Sequence, residues 1–283
     1  MARPRKNIQI LAESDIPEFS KLLAKAIDPA MPKTSQVYDI IRHAIVNLVL
    51  PPGKIVNEKQ ICEQLGISRT PLREAILQLN AENLVSIIPN SGTYVSRIDL
   101  QNVFDGQLVR DALEMKVVRL AAARMTSSFE RQLDFNMHQQ RRLALDLDYD
   151  GFYQLDEEFH SMICEFGASI HIWRIVNGAK AQLDRVRRLA IPGPSHLDIV
   201  LSEHSGIVDG LKLRDPGAAA AAMKVHLDRV FESIRRLIIE RRDYFSANAD
   251  SDLDRYVEVA SDGQLFSTTK SVEAESLPAA VLR

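Results

Sequence analysis

From Ser35 the apolar residues Val37, Ile40, Ile41, Ala44, Ile45 and Leu48 recur at three- and four-residue steps. That is the spacing of one helix face, and it stops at Pro51-Pro52-Gly53. Ile61, Cys62 and Leu65 mark a short second helix closed by Gly66, where a left-handed backbone comes without steric cost. A third helix carries Leu72, Ala75, Ile76 and Leu79 inward, with Ser68 or Thr70 as its cap and Pro71 in its first turn. It ends near Asn83, a residue type that tolerates positive φ. Two β-prone runs, Leu84–Ile88 and Thr93–Ser96, flank Pro89-Asn90-Ser91-Gly92 and predict a hairpin. Helix, helix, glycine turn, helix and hairpin in this order predict a winged helix-turn-helix over 34–97.

Beyond Asp99 the pattern is helical throughout. Breaks divide it into six expected helices, roughly 100–125, 128–146, 149–166, 170–190, 196–213 and 216–242, an all-α antiparallel bundle over 98–245. The fold class is therefore mostly α, with a small wing. Residues 1–33 mix charges with prolines, show at most a short helical pattern from Phe19 to Ile27, and read as a flexible arm. Residues 246–283 turn to Ser, Asp, Ala and Glu and read as a mobile acidic tail.

Composition narrows the function classes. With 283 residues, 46% of them hydrophobic and 26% charged, the chain has material for two soluble domains, and no run approaches the 20 apolar residues of a membrane span. Glu13, Asp15 and Glu18 interrupt the apolar stretch a secretory signal would need, so a cytoplasmic protein is expected. Cys62 and Cys164 stand far apart, which excludes a disulfide framework and a thiolate zinc site; both are expected to be small buried hydrophobes. The net charge of −3 splits unevenly, +3 over residues 1–97 and −6 over the remainder, as a nucleic-acid-binding end joined to something else would show. Residues 34–97 themselves net only +1, so DNA affinity should rest on a few well-placed arginines and on dimerisation.

Arg69 and Arg73 are four apart, so the start of the third helix presents two guanidiniums on one face, a fork able to bond guanine O6 and N7. The stretch "LPPGKIVNEKQICEQLGISRTPLREAILQLNAENLVSIIPNSGTYVSRI" resembles the winged helix of the GntR family of bacterial transcription regulators. The Ser68 and Thr70 hydroxyls at the start of the third helix suit phosphate oxygens, and the resemblance implies DNA contacts at Lys59, Arg69 and Arg73 and a wing tip around Gly92 in the minor groove. Two departures stand out: Asn83 replaces the usual Gly, and the tip Asn90-Ser91-Gly92 lacks the customary Arg or Lys, which implies a looser hold on phosphate.

A second constellation lies in the bundle. Asp156 and His160 are four apart on one helix face with Tyr153 and Ile163, and His204 and His226 each lie on an apolar stripe. The midpoint of 204 and 226 is 215, next to Pro216-Gly217, so an antiparallel hairpin brings both imidazoles to the same height, facing the core. Three imidazoles and a carboxylate suit zinc first, or nickel, manganese or iron, with room for one or two oxygen ligands. The pattern D-x-x-x-H followed by His 44 and 66 residues on resembles the metal-binding FCD effector domain of the FadR subfamily, as do "VRDALEMKVVRLAA", "LDEEFHSMI", "LDRVRRLAIP" and "EHSGIVDGLKLRDPGAAAAAMKVHL". Six helices place it nearer the VanR-like branch than the seven-helix one.

That resemblance implies a homodimeric repressor on an inverted-repeat operator. A small carboxylate or sugar acid would bind beside the metal, with Arg110 and then Arg185 as the cations that neutralise it. Arg110 also reads as half of an ordinary surface pair with Glu114. A metal-responsive regulator, in which the metal is itself the signal, is the alternative. A metal-dependent enzyme is disfavoured, since no H-E-x-x-H exists and Met223 stands where a second di-iron Glu would precede His226.

Overall fold

The computed structural model describes residues 17–24, 27–190 and 194–262. Its N-terminal part comprises α1 (Pro17–Leu23), α2 (Lys33–Val46), α3 (Glu58–Leu65), α4 (Arg69–Ala81), β1 (Val85–Ile88) and β2 (Gly92–Val95). β1 and β2 pair antiparallel, with Val85 opposite Val95 and Ile88 opposite Gly92. Gly66 takes φ 61° at the end of α3, its N–H donating to the Cys62 carbonyl, and Asn83 takes φ 57° beyond α4. These two left-handed residues let α3, α4 and β1 turn back on one core of Val37, Ile41, Ile45, Ile61, Leu72 and Leu79, all fully buried. Each such side chain contributes about 1.5–3 kcal/mol on leaving water.

The arm expected over 1–33 is corrected in its described portion. α1 seats Phe19 and Leu23 in that same core. A single i,i+4 apolar pair on a seven-residue helix is too short a repeat to register as periodicity. Residues 1–16 lie outside the described residues.

The remainder is helical: α5 (Leu100–Arg124), α6 (Ser127–Leu145), α7 (Tyr149–Gly167), α8 (Ile170–Ala179), α9 (Ala181–Ala190), α10 (Pro194–Lys212), α11 (Pro216–Asp228), α12 (Phe231–Glu240) and α13 (Ala249–Asp262). Two expected helices are each split, at Lys180 and at Arg229-Val230, so a count of six does not hold and carries no assignment to a branch. At the first split, a Cβ on Gly106 of α5 would lie 2.7 Å from the Ala179 carbonyl oxygen, so glycine allows the close approach of α5. The expected hairpin of α10 and α11 forms. Asp215 caps α11 by accepting from the N–H groups of Gly217 and Ala218, at 2.8 and 3.0 Å, with Pro216 in the first turn.

The mobile tail is corrected as well, over its described part. Ala249 and Leu253 of α13 are buried, and the Tyr256 ring stacks on Phe104 with centroids 3.7 Å apart. Just upstream, Ser246 N–H donates to the Ile98 carbonyl at 2.9 Å, tying the chain after α12 to the segment that joins the wing to α5. The acidic composition hid one apolar face at i, i+4 and i+7. Residues 263–283 lie outside the described residues. Among the described residues no helix is long and apolar enough to cross a membrane.

Candidate metal centre and nucleic-acid interface

The first turn of α4 stands clear of the protein. Ser68, Arg69, Thr70 and Arg73 are exposed, and neither arginine makes an ion pair among the described residues. Ser68 holds the cap position but its side chain makes no capping bond, and Thr70 lies inside α4; the expected hydroxyl cap does not form. The N–H groups of this helix start are thus left toward solvent, where a phosphate oxygen can meet them. Glu74 does not engage Arg73; it accepts from Thr34 Oγ1 at 2.7 Å. Lys59 on α3 is 80% exposed, in a 3.8 Å pair with Glu63. At the wing tip Asn90 takes φ 60° and Gly92 φ 128°, a value that calls for glycine. The structure therefore presents Lys59, Ser68, Arg69, Thr70 and Arg73 on α3 and α4, and Gly92 in the wing. Cys62 beside this turn is half-buried, not buried as expected, whereas Cys164 is.

In the bundle, Asp156 and His160 of α7, His204 of α10 and His226 of α11 meet, their potential ligand atoms all within 4.8 Å of one another and all four residues buried. His160 Nε2 and His226 Nε2 are 3.1 Å apart, and His204 Nε2 lies 3.4 Å from Asp156 Oδ1 with no hydrogen-bond partner. The outer nitrogens explain this inward aim. His160 Nδ1 faces Glu114 Oε2 at 2.6 Å, His204 Nδ1 faces Gln140 Oε1 at 2.8 Å, and His226 Nδ1 faces Glu203 Oε2 at 3.1 Å. Each acceptor draws the ring proton to Nδ1 and leaves the Nε2 lone pair pointing at the centre. Three lone pairs and a carboxylate oxygen converging without protons between them repel one another unless a cation is shared. Two bonds of about 2.1 Å at 90–109° to one ion would set their nitrogens about 3.0–3.4 Å apart, the separation of His160 and His226. The residues fit a divalent metal.

Charge around the cluster is organised for the same task. Burial alone would raise the Asp156 carboxyl, but Arg187, whose Nη2 donates to Oδ2 at 2.5 Å, and then the histidines hold it well below the usual range. Burial pushes the His204 and His226 imidazoles well below theirs; His226 and His160 add to this at His204, as His160 does at His226, while Asp156 opposes it at both. Glu114, which burial would raise, is likewise held low by Arg110 and His160.

Of the two expected cations, Arg110 is at the site: it lines the recess beside Asp156 and His226, and its Nη2 lies 3.4 Å from His160 Nε2. Its pair with Glu114, 2.6 Å long, is buried and not the surface pair expected. Arg185 is not there. It is fully buried on the opposite face of α9, donating to the Ser96 carbonyl at 2.7 Å and to Gln182 Oε1 at 2.8 Å, and among the described residues it does not line the recess. The cation at Asp156 is Arg187, two positions on, because α9 turns that side toward α7. Sequence reasoning also missed Glu114, Gln140 and Glu203. Gln140 had a signal, as a polar residue at the end of the α6 stripe Leu133, Met137, Gln140, and Glu203 stands next to His204.

Comparison with known proteins agrees with both halves. Residues 33–95 match the bacterial regulatory proteins of the gntR family, and residues 107–229 match the FCD domain. The chain is 34% identical over 220 residues to the HTH-type transcriptional repressor RspR of Escherichia coli (strain K12), covering 78% of this chain and 96% of that one. It is 30% identical to a probable D-xylose utilization operon transcriptional repressor of Paenarthrobacter nicotinovorans, over 68% of this chain and 84% of that one. The solved structure of Escherichia coli McbR/YncC superimposes with TM-score 0.65 at 20% identity, over 73% and 98% of the two chains, and shares the fold. A winged helix-turn-helix joined to an FCD domain makes this chain a DNA-binding transcriptional regulator, not an enzyme, and it belongs to the FadR subfamily of the GntR family.

Proposed function

We propose that this regulator holds a divalent metal at Asp156, His160, His204 and His226, and that a small carboxylate entering beside it changes operator affinity. The observation that carries this reading is the inward convergence of three imidazole nitrogens whose outer nitrogens are each held by an acceptor. When bound, the metal supplies a Lewis-acidic centre with room for one or two oxygen ligands; zinc is the first choice for three imidazoles and a carboxylate, with nickel, manganese and iron behind it. Glu114, Gln140 and Glu203 fix the ring orientations. Arg187 holds Asp156 ionised, and Arg110 adds positive charge at the same wall.

On the DNA side, Arg69 and Arg73 read bases, Ser68, Thr70 and Lys59 take phosphates, and the wing tip at Gly92 enters the minor groove. The protein acts as a cytoplasmic homodimer whose two winged helices meet an inverted repeat, and it represses, as RspR does by its name. The division into a winged helix over 34–97 and an effector and dimerisation domain over 98–245 is part of this reading. Elemental analysis of the purified protein tests the centre: about one metal per chain is expected, with loss of it in the His204→Ala/His226→Ala variant. Metal retained by that variant would refute the site. If metal titrated into the apo-protein alone switches operator binding, the metal itself is the signal.

A further inference from the structure

The recess beside Asp156 and His226 opens in part to solvent. Much of its wall is hydrocarbon: Phe152, Ala190, Leu197, Val200, Leu227 and Val230. Its polar groups are mostly spoken for. Arg110 is paired with Glu114, Arg187 with Asp156 and Glu157, and Arg229 with Glu203 at 2.6 Å. Among the described lining residues Tyr153, with a buried hydroxyl that has no partner, His196, Ser233 and the Nη1 of Arg110 remain to hydrogen-bond a ligand.

The charge balance is equally restrictive. The ion-pair network around the recess sets Arg110, Lys180, Arg187 and Arg229 against Glu114, Asp156, Glu157, Asp184 and Glu203. Counting Glu232, which pairs with Arg229 at 3.0 Å, four cations face six carboxylates; no cation of the network is left over, so a ligand carboxylate answers the metal alone. A second carboxylate would be buried without compensation. A polyol body would press several hydroxyls against hydrocarbon, each left unpaired at a cost of roughly tenfold in affinity.

We propose that the effector is a monocarboxylate with an apolar body, a short branched aliphatic or single-ring acid, and not a sugar acid or a polycarboxylate. The proposal rests on the metal-assisted carboxylate reading above and sharpens it. The apolar part occupies the wall between Phe152, Leu197, Val200 and Val230, and the carboxylate lies toward Asp156 and His226, where the metal would be held.

Calorimetric titration of the metal-loaded full chain with 4-methylpentanoate, cyclohexanecarboxylate, gluconate, galacturonate and citrate tests it. The two apolar acids are expected to bind at least about tenfold more tightly than the other three. A sugar acid or citrate binding as well or better overturns the proposal while leaving the carboxylate reading intact; no binding by any of the five overturns both. Val200→Thr, nearly equal in volume, adds one hydroxyl to the wall. It is expected to keep its metal and to weaken 4-methylpentanoate by roughly tenfold, and an unchanged affinity counts against the apolar seat.

Discussion

The two functional surfaces solve opposite problems with the same residue types. At the start of α4, Arg69 and Arg73 stand exposed and, among the described residues, without an ion pair, over a conventional aliphatic core. In the bundle, Arg110, Lys180 and Arg187 are buried or nearly so, and each is tied to a carboxylate within 2.6 Å. An exposed arginine costs the fold almost nothing and is free for DNA. A buried one is stable only with its partner, so the bundle has built its site out of groups that must be satisfied together. Function and stability are therefore separable on the DNA face and inseparable at the metal centre.

The sharpest way to break that contrast is at Arg110. Arg110→Met removes the cation that Glu114 leans on and leaves a carboxylate, 1% exposed, facing only His160. The expected cost is about 3–5 kcal/mol in urea unfolding of the metal-free protein. A loss below about 1 kcal/mol would mean that Glu114 simply takes up a proton and that the network is looser than its geometry. Arg69→Ala is the counterpart. It is expected to take about 1–3 kcal/mol from specific operator binding, followed by fluorescence anisotropy, and to move unfolding by less than about 0.5 kcal/mol. Unchanged operator affinity would remove Arg69 from the base-reading set.

The same contrast explains what the sequence discloses. The winged helix was legible because its signals are local: Gly66 and Asn83 where φ is positive, and apolar residues at helical steps in α2 and α4. The quartet of Asp156, His160, His204 and His226 was legible too, since polar residues on apolar stripes are conspicuous and Pro216 fixes the hairpin. Its supports were not. Glu114 four residues after Arg110 has the spacing of a surface pair, and nothing local says that the pair is buried. The split at Arg229-Val230 lacks a Gly or Pro to announce it, and Gly178 near Lys180 is a weak signal inside an apolar helical pattern; packing against α5 and the ion pairs of Lys180 accompany that first split. Likewise α1 and α13 depend on two or three anchors, Phe19 and Leu23 or Ala249, Leu253 and Tyr256, in stretches whose overall composition is polar.

Arg185 sits where the two regions meet, and although it is as buried as Arg110 its substitution should cost far less stability. It is fully buried, yet the groups it meets are the Ser96 carbonyl next to the wing and the Gln182 side chain, which itself donates to the Asn83 carbonyl at 2.7 Å. With no carboxylate beside it, burial pulls its guanidinium down to about 9. Arg185→Met gives up two hydrogen bonds but also a desolvated charge, so the terms oppose and the net change in unfolding should stay within about 1 kcal/mol. Metal content and affinity for 4-methylpentanoate should be those of the unaltered protein, because Arg185 lies on the far side of α9 from Asp156. Arg187→Met, two residues on, should lower both. If instead Arg185→Met weakens the acid and Arg187→Met does not, then α9 presents its other face to the ligand, and Arg185 belongs to the effector site after all.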